Sequence, residues 1–220
     1  MKKIAVFCDF DGTITEKDNI IALMEKFAPP QWVAVKDKIL GQEITIQEGV
    51  GEMFSLIPSE LREEMIQFAV ENASIRDGFQ QFIDYLKARN IPLYVVSGGI
   101  DFFVEPILEE YGPFSEVYCN GADFSGKTIQ ITWPHSCDSQ CSNGCGCCKP
   151  SVIRKLDGND YYKIIIGDSI TDLEAAKQAD LVLATDFLQD KCKALGIPFE
   201  PFETFYECVH VIKNKLGVSV

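Results

Sequence analysis

Positive charge is scarce in this 220-residue chain: 20 Lys and Arg stand against 33 Asp and Glu, a formal net charge of −13. Nucleic acids and anionic membrane surfaces reward basic patches, so neither is an expected partner. Long apolar runs are also missing, and none reaches the length of a membrane span. Lys2 and Lys3 precede an apolar stretch, but Asp9 and Asp11 interrupt it, so it cannot serve as a signal-peptide core. A cytoplasmic protein is expected. There is no internal repeat and no low-complexity linker, and the length suits one core, or one core with a small insertion.

What is present begins with Ile4–Cys8, an apolar run of strand character that ends in Asp9, Phe10, Asp11, Gly12 and Thr13. In a strand, residues two apart share a side, so Asp9 and Asp11 can converge at the carboxyl end. That end is where open α/β sheets bind ligands. Two crowded carboxylates repel unless a proton or cation intervenes, and Mg²⁺ suits oxygen donors. Asp-Gly is also ordinary turn chemistry, which is the competing reading of this stretch.

Strand-like runs recur at 3–8, 91–96, 162–166 and 181–184, separated by helical patterns. Asp77 is placed to cap a helix bearing Phe79, Phe82, Ile83 and Leu86 on one face. The alternation predicts an α/β fold, a Rossmann-like parallel sheet with helices on both faces. Residues 15–75 hold no convincing strand. Their apolar spacing predicts four amphipathic helices, the last capped by Ser59, so an inserted helical bundle is expected. The predicted domains are a core of residues 1–14 and 76–220 and a bundle of residues 15–75. Residues 117–133, with Asn120-Gly121 and Ser125-Gly126, read as a β-hairpin excursion rather than another crossover.

Three further stations sit at strand ends or helix starts. Ser97-Gly98-Gly99 offers a hydroxyl and backbone N–H groups for a phosphate, or simply a tight turn into a helix. Lys149 opens a helix whose second residue is Pro150, although a lone lysine is commonly just solvated. Asp168 and Asp172 follow a strand at a helix start, either as a second carboxylate station or as residues favoured by the helix dipole.

The ordered set Asp9/Asp11, Ser97, Lys149, Asp168/Asp172 resembles the four motifs of the haloacid dehalogenase superfamily of phosphatases. The resemblance spans the chain, and the helical insertion resembles that family's C1-type cap. Within the superfamily, residues 9–13, 96–99 and the segment running into Lys149 resemble phosphatases of methionine salvage. Phosphoserine and phosphoethanolamine/phosphocholine phosphatases are neighbours. The resemblance implies a phosphomonoesterase in which Asp9 is the nucleophile and Asp11 the general acid/base. It implies Mg²⁺ on Asp9, the backbone carbonyl of Asp11, and Asp168. It also implies phosphoryl oxygens held by Ser97, Lys149 and N–H groups near Phe10, Asp11 and Gly98. Asp172 is expected to orient a metal-bound water or Lys149. The expected substrate is a small phosphorylated metabolite, in the methionine-salvage reading an enol phosphate that yields an acireductone. A reading from another class is a non-catalytic, metal-responsive binding protein.

Five of the nine cysteines fall within residues 137–148: Cys137, Cys141, Cys145, Cys147 and Cys148. With His135 they offer enough soft ligands for a tetrahedral structural Zn²⁺. The spacing is not that of paired C-x₂-C knuckles, so a reduced Gly-rich loop is the alternative. Cys8, Cys119 and Cys208 lie in apolar surroundings and read as small core residues, and His210 as a surface or core residue.

Overall fold

The computed structural model describes residues 2–155 and 160–217. Strand β1 (Lys3–Cys8) is followed by helices α1 (Asn19–Phe27), α2 (Trp32–Leu40), α3 (Ile46–Ser55) and α4 (Arg62–Asn72). Then come α5 (Phe79–Lys87), β2 (Leu93–Ile100), α6 (Asp101–Leu108), β3 (Glu116–Asp123) and β4 (Gln130–Thr132). The chain continues through α7 (Lys149–Lys155), β5 (Tyr161–Gly167), α8 (Leu173–Ala176), β6 (Leu181–Ala184), α9 (Asp186–Leu195), β7 (Glu200–Pro201) and α10 (Phe205–Leu216). Among the described residues no helix is long and apolar enough to cross a membrane.

The strands form one sheet in the order β4-β3-β2-β1-β5-β6-β7, parallel except for β3–β4. β1 is central because both faces of it are apolar. Val6 and Cys8 point into a large core shared with Phe82, Phe103 and Phe205, whereas Ala5 and Phe7 pack with Val152, Ile153 and Ile165 on the other face. A strand buried on both sides must read as a continuous apolar run, and β1 does.

The four helices of residues 15–75 share the larger core through Leu23, Met24, Trp32, Phe54 and Met65. They leave and rejoin the sheet through one narrow stalk, where Thr15 and Ile75 form an isolated antiparallel bridge. Their far side is braced on the β3–β4 hairpin: the Ser59 N–H donates to Lys127 O (3.0 Å) and the Ile129 N–H to Ile57 O (3.1 Å).

Three local expectations are corrected. Asp77 does not cap α5. Gly78 does, at φ +84°, while the Asp77 carbonyl accepts from the Phe205 N–H of α10. Ser59 starts a single 3₁₀ turn ahead of α4, and its buried hydroxyl has no hydrogen-bond partner among the described residues. The hairpin exists, but β3 is also a crossover strand, parallel to β2 and reached through α6. Asn120-Gly121 lies within that strand rather than in the turn, and the Asn120 amide donates to Gly98 O at 2.8 Å.

Candidate active site

From β1 the chain runs outward to β2 and β3 on one side, then returns to β5 on the other. This reversal opens a crevice at the carboxyl ends of β1, β2 and β5. Register fixes what emerges there. Cys8 lies opposite Val95 and Ile166, and the Asp9 N–H donates to Ile166 O at 2.9 Å. Asp9, Ser97 and Asp168 therefore lie within a residue or two of one edge. Lys149 arrives as the first residue of α7.

The Lys149 ammonium lies 2.5 Å from Asp9 Oδ2 and 2.6 Å from Asp172 Oδ1, and all three residues are buried. It also donates to the Thr171 hydroxyl at 3.0 Å. The other oxygen of Asp172 accepts from the Ser169 N–H and hydroxyl, each at 3.1 Å, and from the Asp168 N–H at 3.3 Å. Asp172 is thus committed to holding Lys149 and the β5–α8 turn. Asp168 is steadied by the Thr13 hydroxyl, 2.8 Å from its Oδ1.

One carboxylate oxygen from each of Asp9, Asp168 and Asp172 lies within 4.8 Å of the others. Burial pushes the Asp9 carboxyl well above its ordinary range, the Asp172 charge adds to this, and Lys149 opposes it. Burial and Asp172 likewise raise Asp168 to about 6. Burial disfavours the charge on Lys149, but Asp172 and Asp9 outweigh it and hold the lysine above its ordinary range. One cation thus faces three carboxylates. A hard divalent cation beside Asp9 and Asp168 would relieve the excess, and the all-oxygen donor set fits Mg²⁺. Gly12 makes room for this: its φ is +76°, and a Cβ there would overlap the Asp168 carboxylate.

Asp11 is not one of these three. Its Oδ1 accepts from the Asn19 N–H (2.9 Å) and side-chain amide (2.7 Å), which ties it to the start of α1. Burial, then the Asp18 charge, raise Asp11 to about 7 against the pull of the Asn19 hydrogen bonds. Its Oδ2 and the Ser97 hydroxyl flank Gly99: a Cβ on Gly99 would stand 2.8 Å from Asp11 Oδ2 and 2.9 Å from Ser97 Oγ. The Gly99 N–H donates to Ser97 Oγ at 2.8 Å, leaving the hydroxyl proton free to donate. The Phe10 N–H is directed at Asp9 Oδ1, 2.7 Å away. Gly99→Ala is expected to displace both polar groups at once. A displacement of about 1 Å near reacting atoms costs about 10²-fold, so kcat/KM for a phosphate ester should fall by that order. Steady-state kinetics beside a thermal melt checks this; a variant with parental kcat/KM would show that the contact does not matter.

Two residues of this site carry no sequence signal. Asn19 is buried against Asp11 but reads as an ordinary first residue of α1 after the Asp18 cap. Arg76 clamps the loop after β1 by donating to Thr13 O (2.8 Å) and Gly12 O (2.6 Å). In the cysteine segment, Cys137, Cys141 and Cys145 converge. Cys147 does not join them: it is buried in the sheet core, where its thiol donates to Tyr118 O at 3.7 Å.

Residues 6–177 match the family model of haloacid dehalogenase-like hydrolases. The 2-hydroxy-3-keto-5-methylthiopentenyl-1-phosphate phosphatase of Geobacillus kaustophilus (strain HTA426) is 58% identical over 213 residues, 97% of either chain. The protein of that name from Bacillus cereus (strain B4264) is 56% identical over 216 residues, 98% of this chain and 99% of its own. Among solved structures, a substrate-bound phosphoserine phosphatase superposes with a TM-score of 0.70 at 18% identity, covering 96% of this chain and 99% of that one. A phosphoserine phosphatase carrying an analogue of its phospho-aspartyl intermediate gives 0.68 at 18% identity, with coverages of 96% and 99%. At that identity the structures speak for the fold, whereas the curated relatives speak for the activity. The reading as a non-catalytic binding protein is set aside: this chain is a phosphoric monoester hydrolase, and it belongs to the haloacid dehalogenase-like hydrolase family.

Proposed function

We propose that the chain hydrolyses 2-hydroxy-3-keto-5-methylthiopentenyl 1-phosphate to an acireductone and inorganic phosphate, through an aspartyl-phosphate on Asp9. The observation that carries the chemistry is the buried Asp9 carboxylate, held against Lys149 with Asp168 alongside. The substrate reading is supported by the name shared by relatives at 58% and 56% identity over nearly the whole chain.

In the first step an Asp9 oxygen attacks phosphorus in line, and the bond from phosphorus to the enol oxygen breaks. Asp11 gives its proton to that oxygen. In the second step Asp11 accepts a proton from water, whose oxygen attacks the phosphoryl group and frees Asp9. Lys149, the Ser97 hydroxyl and the N–H groups of Phe10, Asp11 and Gly98 hold the non-bridging oxygens and spread the developing charge. Asp9, the Asp11 carbonyl and Asp168 would hold Mg²⁺, which supplies charge neutralisation at the phosphoryl group. Asp172 keeps Lys149 in position. Residues 15–75 serve as the cap that selects the organic part of the substrate, while residues 1–14 and 76–220 recognise the phosphate common to every candidate. The Asn19–Asp11 bonds are a direct link between the two.

A panel of phosphorylated metabolites with Mg²⁺ tests the substrate. The enol phosphate should give the highest kcat/KM, above phosphoserine, phosphoethanolamine and phosphocholine. A preference for any of those three would overturn the assignment. EDTA should abolish turnover, and Mg²⁺ should restore it. Asp168→Ala should raise the Mg²⁺ concentration for half-maximal rate by ten- to a hundredfold, an order typical of damage at a metal site. Activity indifferent to both treatments would remove the metal from the reaction.

A further inference from the structure

The cysteine segment takes no part in the reaction described above, yet it has the geometry of a soft-metal site. We infer that Cys137, Cys141, Cys145 and Cys148 form a tetrathiolate Zn²⁺ site that holds the 135–148 loop between α7 and the start of α3. The Sγ atoms of Cys137, Cys141 and Cys145 lie within 4.8 Å of one another. Tetrahedral Zn²⁺ with bonds of about 2.3 Å needs sulfurs about 3.8 Å apart, so a small contraction suffices. Cys148 stands outside this 4.8 Å group, but it lies at the end of the same loop and, unlike Cys147, its thiol is not turned to the sheet core, so the fourth position is assigned to it. Cys147 points away into the core, and the His135 ring packs edge-on against Tyr118, 5.0 Å between centroids, so neither competes for the ion.

The Ser151 hydroxyl donates to the Cys148 sulfur at 2.9 Å. Donors aimed at sulfur are the outer support that thiolate ligands of a metal require. Polar tethers already reach the segment: the Cys148 N–H to His135 O (2.8 Å), the Asp138 N–H to the Ser151 hydroxyl (3.1 Å) and the pairing of Arg154 with Asp138 among them. The three gathered sulfurs would repel one another as thiolates, and a dication turns that repulsion into folding free energy.

The ion would act at two places. Cys148 immediately precedes Lys149, so the site sets where α7 begins and where the phosphate-binding ammonium projects. Gly144 O accepts from the Gln47 N–H at the start of α3, 3.0 Å away, so the same loop buttresses the helices over the crevice. The site is structural, since four protein sulfurs leave no open position.

The test reads metal content, so it stands or falls apart from the substrate assignment. Full-length protein purified without chelators should carry about one zinc per chain by elemental analysis. Cys141→Ser and Cys145→Ser should each lose most of it, whereas Asp168→Ala should keep it. Reconstitution with Co²⁺ should give the intense sulfur-to-cobalt charge-transfer and tetrahedral d–d bands of a tetrathiolate. Stripping zinc from the unmutated protein with a strong chelator should lower its unfolding midpoint by more than about 5 °C, restored by Zn²⁺ and not by Mg²⁺. That arm decides the matter should the serine variants fail to fold. Substoichiometric zinc with all four thiols free to an alkylating reagent would overturn the proposal, as would a disulfide within the group, or iron in place of zinc.

Discussion

Asp9→Asn is expected to lose turnover by on the order of 10⁴-fold or more while keeping, or slightly raising, thermal stability. The loss follows from chemistry: an amide oxygen cannot attack phosphorus and form an acyl-phosphate. The unimpaired fold follows from electrostatics. Asp9 is buried with its carboxyl pushed upward by that burial and by Asp172, and a single lysine serves both acids. Neutralising Asp9 leaves Lys149 and Asp172 as a matched pair and removes one like charge from beside Asp168. The amide oxygen can still accept from the Phe10 N–H. In metal-free buffer the variant should therefore melt at or above the parent temperature. The stabilisation that Mg²⁺ gives the parent should shrink in the variant, because a proposed ligand is gone. Calorimetry with and without Mg²⁺, beside single-turnover kinetics, reads both halves. Turnover within tenfold of the parent would remove Asp9 from the nucleophile's role.

The parts of this architecture that could be read from sequence are those whose cause is local. β1 and β6 lie at 3–8 and 181–184 as expected, because parallel strands buried on both faces are continuous apolar runs. Asp9, Lys149 and Asp168 were legible because each stands one residue past a strand or at the first residue of a helix. What failed had a tertiary cause. Asp77 has the right side chain for a cap, but α10 claims its carbonyl, and Gly78 must take a positive φ beneath Tyr206. Asn120-Gly121 has turn chemistry, yet the Asn120 amide is drawn to Gly98 across the sheet and the pair is held in β3. Arg76 reaches carbonyls 63 and 64 residues away, so no spacing could announce it. β7 spans two residues, too short for any periodicity.

Lys149→Met should be the most damaging change for stability, and its partner variant shows why. Met matches the length of the stem but removes the cation common to Asp9 and Asp172, both buried. Breaking a buried ion pair by deleting one partner leaves an uncompensated charge and costs about 3–5 kcal/mol. Here two carboxylates are stranded, with Asp168 close enough to add its own repulsion. Asp172→Asn in the same background should recover part of that loss. An asparagine oxygen can still accept from the Ser169 and Asp168 N–H groups, while its amide faces the vacated ammonium position without charge. The two substitutions should therefore be strongly non-additive, with a coupling of about 1–3 kcal/mol in chemical denaturation. Catalysis should not recover with stability. The phosphoryl oxygens lose a fixed positive charge in both variants, so affinity for inorganic phosphate as an inhibitor should stay at least tenfold down, a fall of about 1.4 kcal/mol or more. Additive denaturation energies would mean that Lys149 and Asp172 act separately. Unchanged phosphate affinity in the single variant would remove Lys149 from phosphate recognition and leave it only the task of balancing buried charge.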